Sequence, residues 1–406
     1  MAVIGPSARR IAERAAALAR IGAVGEAVTR LGLTPEERRA HALVARWLAE
    51  LGGRVRRDEA GNVFARVGGG GSPVLIGSHL DSVPDGGRYD GALGVVVAVE
   101  ALEALRAAKV VLRRPVEVVG WADEEGVRFG LGLYGSSAAF GRLPAQAAER
   151  TDARGVSIRE ALRALGLRGD PARARIRKGS LRAYIEPHIE QGPRLARQGR
   201  ALAVVTTIVG IAHGRVTVRG RQDHAGTTPM SERRDALAAA ADLIAAIARA
   251  AAARRDAVAT VGEIAVRPGA KNVVPGECAF SLDVRAPRER DVAAVLRAVR
   301  VAAAALDRER GVRTSLGRMD RVPVTALDRS LRGLLRRACA AAGVDAPELV
   351  SGAGHDAMNA QLDGVPAGMI FIRSRGGSHS PREAADPRDA ARAAAALAEA
   401  LRELCG

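Results

Sequence analysis

Two short apolar runs constrain the fold of this chain more than any other feature. Val74-Leu75-Ile76 leads into Gly77-Ser78-His79-Leu80-Asp81, and Val116 to Trp121 leads into Ala122-Asp123-Glu124-Glu125. Strands that are apolar on both sides need cover on both faces, and this is the mark of a sheet sandwiched between helices. Open α/β sheets carry their sites beyond the carboxyl ends of such strands. Here both ends are loaded with imidazole and carboxylate groups, and Asp90 follows the first within GSHLDSVPDGGRYDGALG (77–94). A solvated turn has no need of so many acids beside a histidine.

The rest of the chain extends this reading. Its 406 residues exceed one ordinary core, so two domains are expected. Residues 1–50 read as helical, with Thr34 as N-cap and Pro35 in the first turn. Residues 54–67 read as a hairpin turning at Ala60-Gly61-Asn62, 91–108 as a helix, 130–180 as mostly helical, and 183–186 as a short strand. From Gly214 the pattern becomes strand 215–219, helix 231–253, strands 257–266 and 278–284, helix 289–307 and strand 313–316. That β-α-β-β-α-β order is ferredoxin-like. A helix over 327–342, a strand over 365–372 and a helix over 387–404 close the chain. The expected architecture is a mixed-sheet α/β catalytic domain (1–213 and 328–406) with an inserted ferredoxin-like α+β lid or dimerisation domain (214–327).

Composition removes several alternatives. Apolar residues make up 48% and charged residues 26%, as in globular proteins. The net charge of +17 raises the question of nucleic acid. The basic residues are dispersed, however, and aromatic content is only 2%, too little for stacking platforms. No nucleic-acid partner is expected. No apolar run is long enough to span a bilayer, and the charged N-terminal stretch does not read as a signal peptide. Cys278, Cys339 and Cys405 form no C-x-x-C pair, which fits a reducing, cytoplasmic setting.

A two-metal hydrolase needs imidazoles and carboxylates converging on two cations, one carboxylate shared between them, and a free base. His79, Asp90, Glu125, His188 (in IEPHIEQG, 185–192) and His379 (in GGSHSPRE, 376–383) supply five candidate ligands. Asp81 shares a face with His79 and suits a carboxylate that orients the ring. Glu124 points away from its neighbour Glu125 and suits a general base. Each group has a plainer alternative. A single histidine near a strand end is commonly hydrogen-bonded within the core, and Glu124-Glu125 alone could be a solvated turn.

The motifs RRDEAGNVFARV (56–67), GSHLDSVPDGGRYDGALGV (77–95), EEGVRFG (124–130), YGSSAAFG (134–141), IEPHIEQGPRL (185–195), HAGTTPM (224–230), KNVVPGE (271–277), LDVRAP (282–287), SGAGHDAM (351–358) and SHSPRE (378–383) run in order through nearly the whole chain. In them the chain resembles the metal-dependent amidohydrolases of the M20 peptidase group. The resemblance is to the branch holding N-carbamoyl-L-amino acid hydrolases, β-ureidopropionases and allantoate amidohydrolases. His188 marks this branch, since other relatives usually place a carboxylate there. Ala196, where the branch commonly has an acid, departs from the pattern.

The resemblance implies two divalent metal ions per subunit. His79 and His188 would hold one, Glu125 and His379 the other, with Asp90 bridging. The ligand set suits Zn, and Mn, Co or Ni could fill the same site. Asp81 would buttress His79 and Glu124 would act as base. Gln191 would lie near the metals, His224 would meet the reacting carbonyl, and Asn272 and Arg285 would take the substrate carboxylate. A guanidinium fork suits that last task. His355 is open between substrate contact and a structural bond with Asp356. The implied reaction converts an N-carbamoyl-L-amino acid to L-amino acid, ammonia and carbon dioxide, with allantoate amidohydrolase or β-ureidopropionase activity as alternatives. A homodimer through the inserted domain is expected, with His224 serving in cis or in trans.

Overall fold

The computed structural model describes residues 5–406. Residues 1–4, part of the stretch read as helical, lie outside the described residues. Two compact units emerge. One runs up to Thr206 and resumes at Leu327; the other is Thr207–Ala326.

The first unit is built on a mixed sheet. Its four central strands, in the order Ala367–Ile372, Ala183–Ile189, Val74–His79 and Val116–Trp121, run parallel. Leu202–Ile208 joins antiparallel at one side, and the hairpin Arg54–Arg57/Val63–Val67 at the other. Val74–His79 and Val116–Trp121 are buried at every position, as their unbroken apolar character requires. Val74 and Ile76 share a core with the helices Ala92–Ala107, Arg329–Ala341 and Pro387–Cys405. Trp121, Phe140 and Tyr184 pack edge-on or tilted within another aromatic cluster. The register sets Ile76 opposite Ile185 and His79 opposite Trp121. Continued three residues, the first pairing carries His79 and His188 to one level at the carboxyl ends.

The second unit has the strand order Val258–Thr260, Glu277–Ala286, Gly210–Arg219, Arg313–Leu316, all antiparallel. Helices Ala236–Ala252 and Glu289–Arg310 share a core with Cys278, Phe280, Leu282 and Val284. Alternation then puts Asp283 and Arg285 on the opposite face. The unit opens at Thr207 rather than Gly214, because Gly210–Arg219 is one unbroken strand.

Four local readings change. The stretch read as helical up to residue 50 holds helices Ala8–Ala19 and Pro35–Glu50, with the short antiparallel strands Ala23–Val24 and Ala27–Val28 between them. Residues 130–180 hold only the short helices Tyr134–Ala139 and Ile158–Ala164, with 3₁₀ turns and loops between them. Glycines of positive φ at 141, 155, 166, 169 and 179 break the segment repeatedly. The helix expected from Ser231 begins at Ala236, because the Asp235 side chain accepts from the Leu237 and Ala238 amides at 2.9 and 3.0 Å and caps it there. The strand expected over 257–266 divides into Val258–Thr260 and Ile264–Arg267, where Ser281 Oγ takes up the Gly262 and Glu263 amides. Among the described residues, no helix is long and apolar enough to cross a membrane.

Candidate metal centre

The carboxyl ends of the four parallel strands deliver the candidate ligands. His79 ends its strand, Glu124 and Glu125 follow the next, His188 lies within the third, and His379 lies beyond the fourth. Asp90 precedes helix Ala92–Ala107. The intervening Gly91 has φ +61°, and a Cβ there would lie 2.4 Å from the His79 ring, so only glycine lets the loop pass beneath the imidazole.

Asp81 organises the cluster from behind. Its Oδ1 lies 3.1 Å from His79 Nδ1 and accepts from the Glu124 amide at 3.0 Å; Oδ2 accepts from the Glu125 amide at 3.0 Å. One buried carboxylate thus aims an imidazole and the Glu124-Glu125 backbone together. His188 Nδ1 lies 2.9 Å from its neighbour's carbonyl, Ile189 O. Both rings therefore carry hydrogen on Nδ1 and turn Nε2 toward the cluster. Those Nε2 atoms are 3.4 Å apart, and Asp90 Oδ1 lies 3.3 Å from that of His188 and 3.7 Å from that of His79. Asp90 Oδ1 is buried without a hydrogen-bond partner. Three ligand-type atoms this close together suit a cation between them. Tetrahedral coordination at about 2.0–2.1 Å separates ligand atoms by about 3.3–3.4 Å, close to what is found.

A second group shares Asp90. His379 Nε2 lies 3.2 Å from Glu125 Oε1 and 3.5 Å from Asp90 Oδ2. The ligand-type atoms of His79, Asp90 and His188 form one cluster, and those of Asp90, Glu125 and His379 another. Glu124 Oε2 is 3.8 Å from His79 Nε2. Gln191 Nε2 donates to Asp90 Oδ2 at 2.8 Å, and its own Oε1 is buried without a partner. Gln191 and His379 both hold positive φ, at 61° and 58°, an uncommon conformation for residues with side chains.

The electrostatics suit cations. Burial raises the pKa of Glu124, and the charges of Glu125, Asp356 and Asp81 add to that, while His79 opposes. Burial raises Glu125 as well, with His379 opposing. Burial would raise Asp90, but the neighbouring imidazoles of His79 and His188 hold it well below the usual carboxylate range. Burial pushes His188 down, keeping it the neutral imidazole that a ligand must be. Four acids, Asp81, Asp90, Glu124 and Glu125, converge on three imidazoles, a surplus of negative charge that divalent cations balance.

A cavity of about 360 Å³ opens beside this cluster, lined among others by Gln191, Pro193, Val350, Phe371 and His379. His355 is not on its wall. It is buried with its ring 4.5 Å from that of His188, and its Nε2 meets Ser351 Oγ at 2.8 Å. Its bond is thus to Ser351, not Asp356. Glu186, His188 and His355 form a further close group behind the ligands.

His224, Asn272 and Arg285 belong to the second unit. His224 Nδ1 accepts from the Gly226 and Thr227 amides at 3.0 and 3.2 Å, which leaves Nε2 as the proton-bearing nitrogen. The Ala225 amide donates to Asn272 O at 3.0 Å, tying the two loops together. Arg285 Nε donates to Asp283 Oδ1 at 2.8 Å.

Several residues beside the cluster escaped the sequence reading. Glu37 is buried, accepts from the Asp123 amide at 2.8 Å and is pushed by burial to about 8. Both carboxylate oxygens of Asp123 are buried without partners, on a backbone with φ +48°. Ser378 and Glu383 lie on either side of His379 within SHSPRE. Their roles depend on contacts with residues about 290 positions away, which motif spacing does not reveal.

Fold and site together define a metal-dependent hydrolase. The sequence profile of Peptidase family M20/M25/M40 matches residues 75–403, and this chain belongs to that family. It is similar to the N-carbamoyl-L-amino acid amidohydrolase of Geobacillus stearothermophilus, at 42% identity over 384 residues covering 92% of this chain and 93% of the relative. It is also similar to the allantoate amidohydrolase of Bacillus subtilis (strain 168), at 35% identity over 403 residues and 95% of both chains. Among solved structures, an amidase of the hydantoinase/carbamoylase family from Burkholderia multivorans superposes with a TM-score of 0.91 at 34% identity, covering 99% of this chain and 98% of that one. The protein is a metal-dependent amidohydrolase.

Proposed function

We propose that this enzyme hydrolyses the ureido C–N bond of N-carbamoyl-L-amino acids, giving the L-amino acid, ammonia and carbon dioxide, at a centre of two divalent cations. The observation that carries the count of two is Asp90, whose oxygens belong to two separate ligand clusters. In this reading His79 and His188 hold one cation, Glu125 and His379 the other, and Asp90 bridges. The cations would be Zn by ligand type, or Mn, Co or Ni. When bound, they supply the Lewis acidity that acidifies water and polarises the scissile carbonyl.

The protein's own groups do the rest. Glu124, raised by burial, takes a proton from water and passes it to the leaving nitrogen. Asp81 holds His79 and the Glu124 backbone in place. His224 Nε2–H is set to donate to the carbonyl oxygen as negative charge grows there. Arg285 and Asn272 bind the α-carboxylate, and Gln191 orients groups beside Asp90. His224, Asn272 and Arg285 stand in the second unit, and in this reading His224 serves in cis or in trans. A homodimer through this unit, in a cytoplasmic setting, is part of the reading. Val258 and Ile264, on strands bordering its sheet, are 53% and 54% exposed and offer an apolar seam.

The similarity to carbamoyl-amino acid hydrolases at 42% identity supports this substrate over allantoate. Allantoate remains the second reading, supported by the 36% identity to the allantoate deiminase of Arabidopsis thaliana. The test is a panel of N-carbamoyl-L-amino acids, N-carbamoyl-β-alanine and allantoate, assayed on metal-free protein with added Zn²⁺, Mn²⁺, Co²⁺ or Ni²⁺. Metal-dependent release of ammonia chiefly from N-carbamoyl-L-amino acids is expected. A higher kcat/KM on allantoate would overturn the substrate assignment, and full activity after exhaustive chelation would overturn the centre.

A further inference from the structure

Glu383 has no role in the chemistry proposed above, yet it grips the residue on which that chemistry turns. It is only 4% exposed. Its Oε1 accepts from the Tyr89 and Asp90 amides at 2.7 and 3.1 Å, and its Oε2 meets Ser378 Oγ at 2.9 Å. The same Ser378 hydroxyl is in close contact with Asp90 Oδ2. Glu383 thus holds the Asp90 backbone directly, and the Ser378 hydroxyl, whose single hydrogen serves one carboxylate at a time, lies between Glu383 and the Asp90 side chain. Ser378 immediately precedes His379, so the grip also ties down the loop that carries a second candidate ligand.

The surrounding backbone is shaped for this contact. A Cβ at Gly87 would lie 2.2 Å from Glu383 Oε1, so the turn can wrap the carboxylate only where glycine stands. A Cβ at Gly376 would lie 1.9 Å from Arg382 O, so the 376–383 loop folds back tightly on itself. A buried carboxylate is costly unless its oxygens are hydrogen-bonded. The hydrogen bonds that satisfy Glu383 come from the two ligand-bearing loops, and this points to registration of those loops.

We infer that Glu383 is a positioning residue which, through Ser378, sets Asp90 against His379 and thereby governs affinity for the cation that those two share with Glu125. The inference rests on the two-cation reading. Its test is a titration of metal-free protein with Zn²⁺, and separately with Mn²⁺, against a competing chelator, with metal content read by elemental analysis. Urea unfolding of the metal-free proteins runs in parallel.

Wild type should bind two ions per chain. Glu383→Ala should weaken the second ion by about 10–100-fold, the usual cost of losing a group that orients a ligand, and leave the first within a few-fold. Glu383→Gln should recover most of the loss. Its Oε1 still accepts both amides, and its NH₂ can donate to Ser378 Oγ. A wild type that binds fewer than two ions would overturn the two-cation reading itself. A normal second ion in Glu383→Ala would overturn the role of Glu383 and leave that reading standing. Equal loss of both ions with a collapsed unfolding midpoint, or no recovery in Glu383→Gln, would make Glu383 a general scaffold residue and also refute the inference.

Discussion

Replacing Asp81 by Asn removes one charge and almost no volume, and the structure says why it should still be severe. Asp81 Oδ1 serves His79 Nδ1 and the Glu124 amide, and Oδ2 serves the Glu125 amide. An asparagine must put its NH₂ on one side or the other. If NH₂ faces Glu125, two donors meet and a buried amide goes unpaired, costing about 1–3 kcal/mol. If NH₂ faces His79, the ring must turn its lone pair to Nδ1 and present Nε2–H to the cluster. That points hydrogen at the place where a cation would sit, and it leaves the Glu124 amide without an acceptor. Exchange of a charge-assisted bond to His79 for a neutral one adds about 1 kcal/mol in either case. We expect metal-free Asp81→Asn to be less stable by about 3 kcal/mol. We also expect Zn²⁺ affinity to fall about 10–100-fold. Urea unfolding of the metal-free protein reads the first quantity, and competition with a chromogenic chelator reads the second. Wild-type values in both would refute the assignment of Asp81 as the organiser of this cluster.

Four further outcomes follow from the same geometry. Glu124→Gln should keep its cations but lose about 10²–10⁴-fold in kcat, the usual weight of a general base; a metal-poor variant on elemental analysis would reverse the division of labour between Glu124 and Glu125. Arg285→Lys should depress kcat/KM for carboxylate-bearing substrates although charge is kept, because a fork becomes a point charge, and an unchanged value would remove Arg285 from the site. Inactive Glu124→Gln and His224→Ala subunits, mixed after verified exchange, should regain part of the activity if His224 serves a partner's site; a monomer by light scattering would eliminate the dimer. Buried His41 lies 3.1 Å from Gly120 O, and burial pushes it from 6.5 to about 4. Below pH 6.5 the unfolded chain takes up a proton that the folded chain refuses, so stability falls between pH 6.5 and 4 by up to roughly 3 kcal/mol. His41→Gln should therefore lose less stability than wild type over that window, as read from urea midpoints at pH 7 and 4.5.

The sequence by itself was enough to determine the buried strands and the residue types gathered at their carboxyl ends. Val74 to Ile76 and Val116 to Trp121 are apolar on both sides, which only a covered central strand tolerates, and histidine and acids at their ends have no structural excuse there. Thr34 and Pro35 announced their helix, and Thr34 Oγ1 indeed accepts from the Glu37 amide at 3.3 Å. What the pattern missed turned on which side chain meets which backbone amide or ring. The helix expected from Ser231 begins at Ala236 because the Asp235 carboxylate accepts from the Leu237 and Ala238 amides. For His355, open between substrate contact and a bond with Asp356, the structure supplies Ser351 as the hydrogen-bond partner and packs the ring against His188.

The pairing of His79 with His188 needs a sheet register linking positions 109 apart, and the grip of Glu383 on Asp90 spans 293. The sharing of Asp90 between two clusters likewise exists only once four strand ends are brought together. Residue type and periodicity are local properties of a chain, so the sequence displayed the chemistry on offer. Which lone pairs face each other is a property of distances between remote segments, and only the tertiary structure decided it.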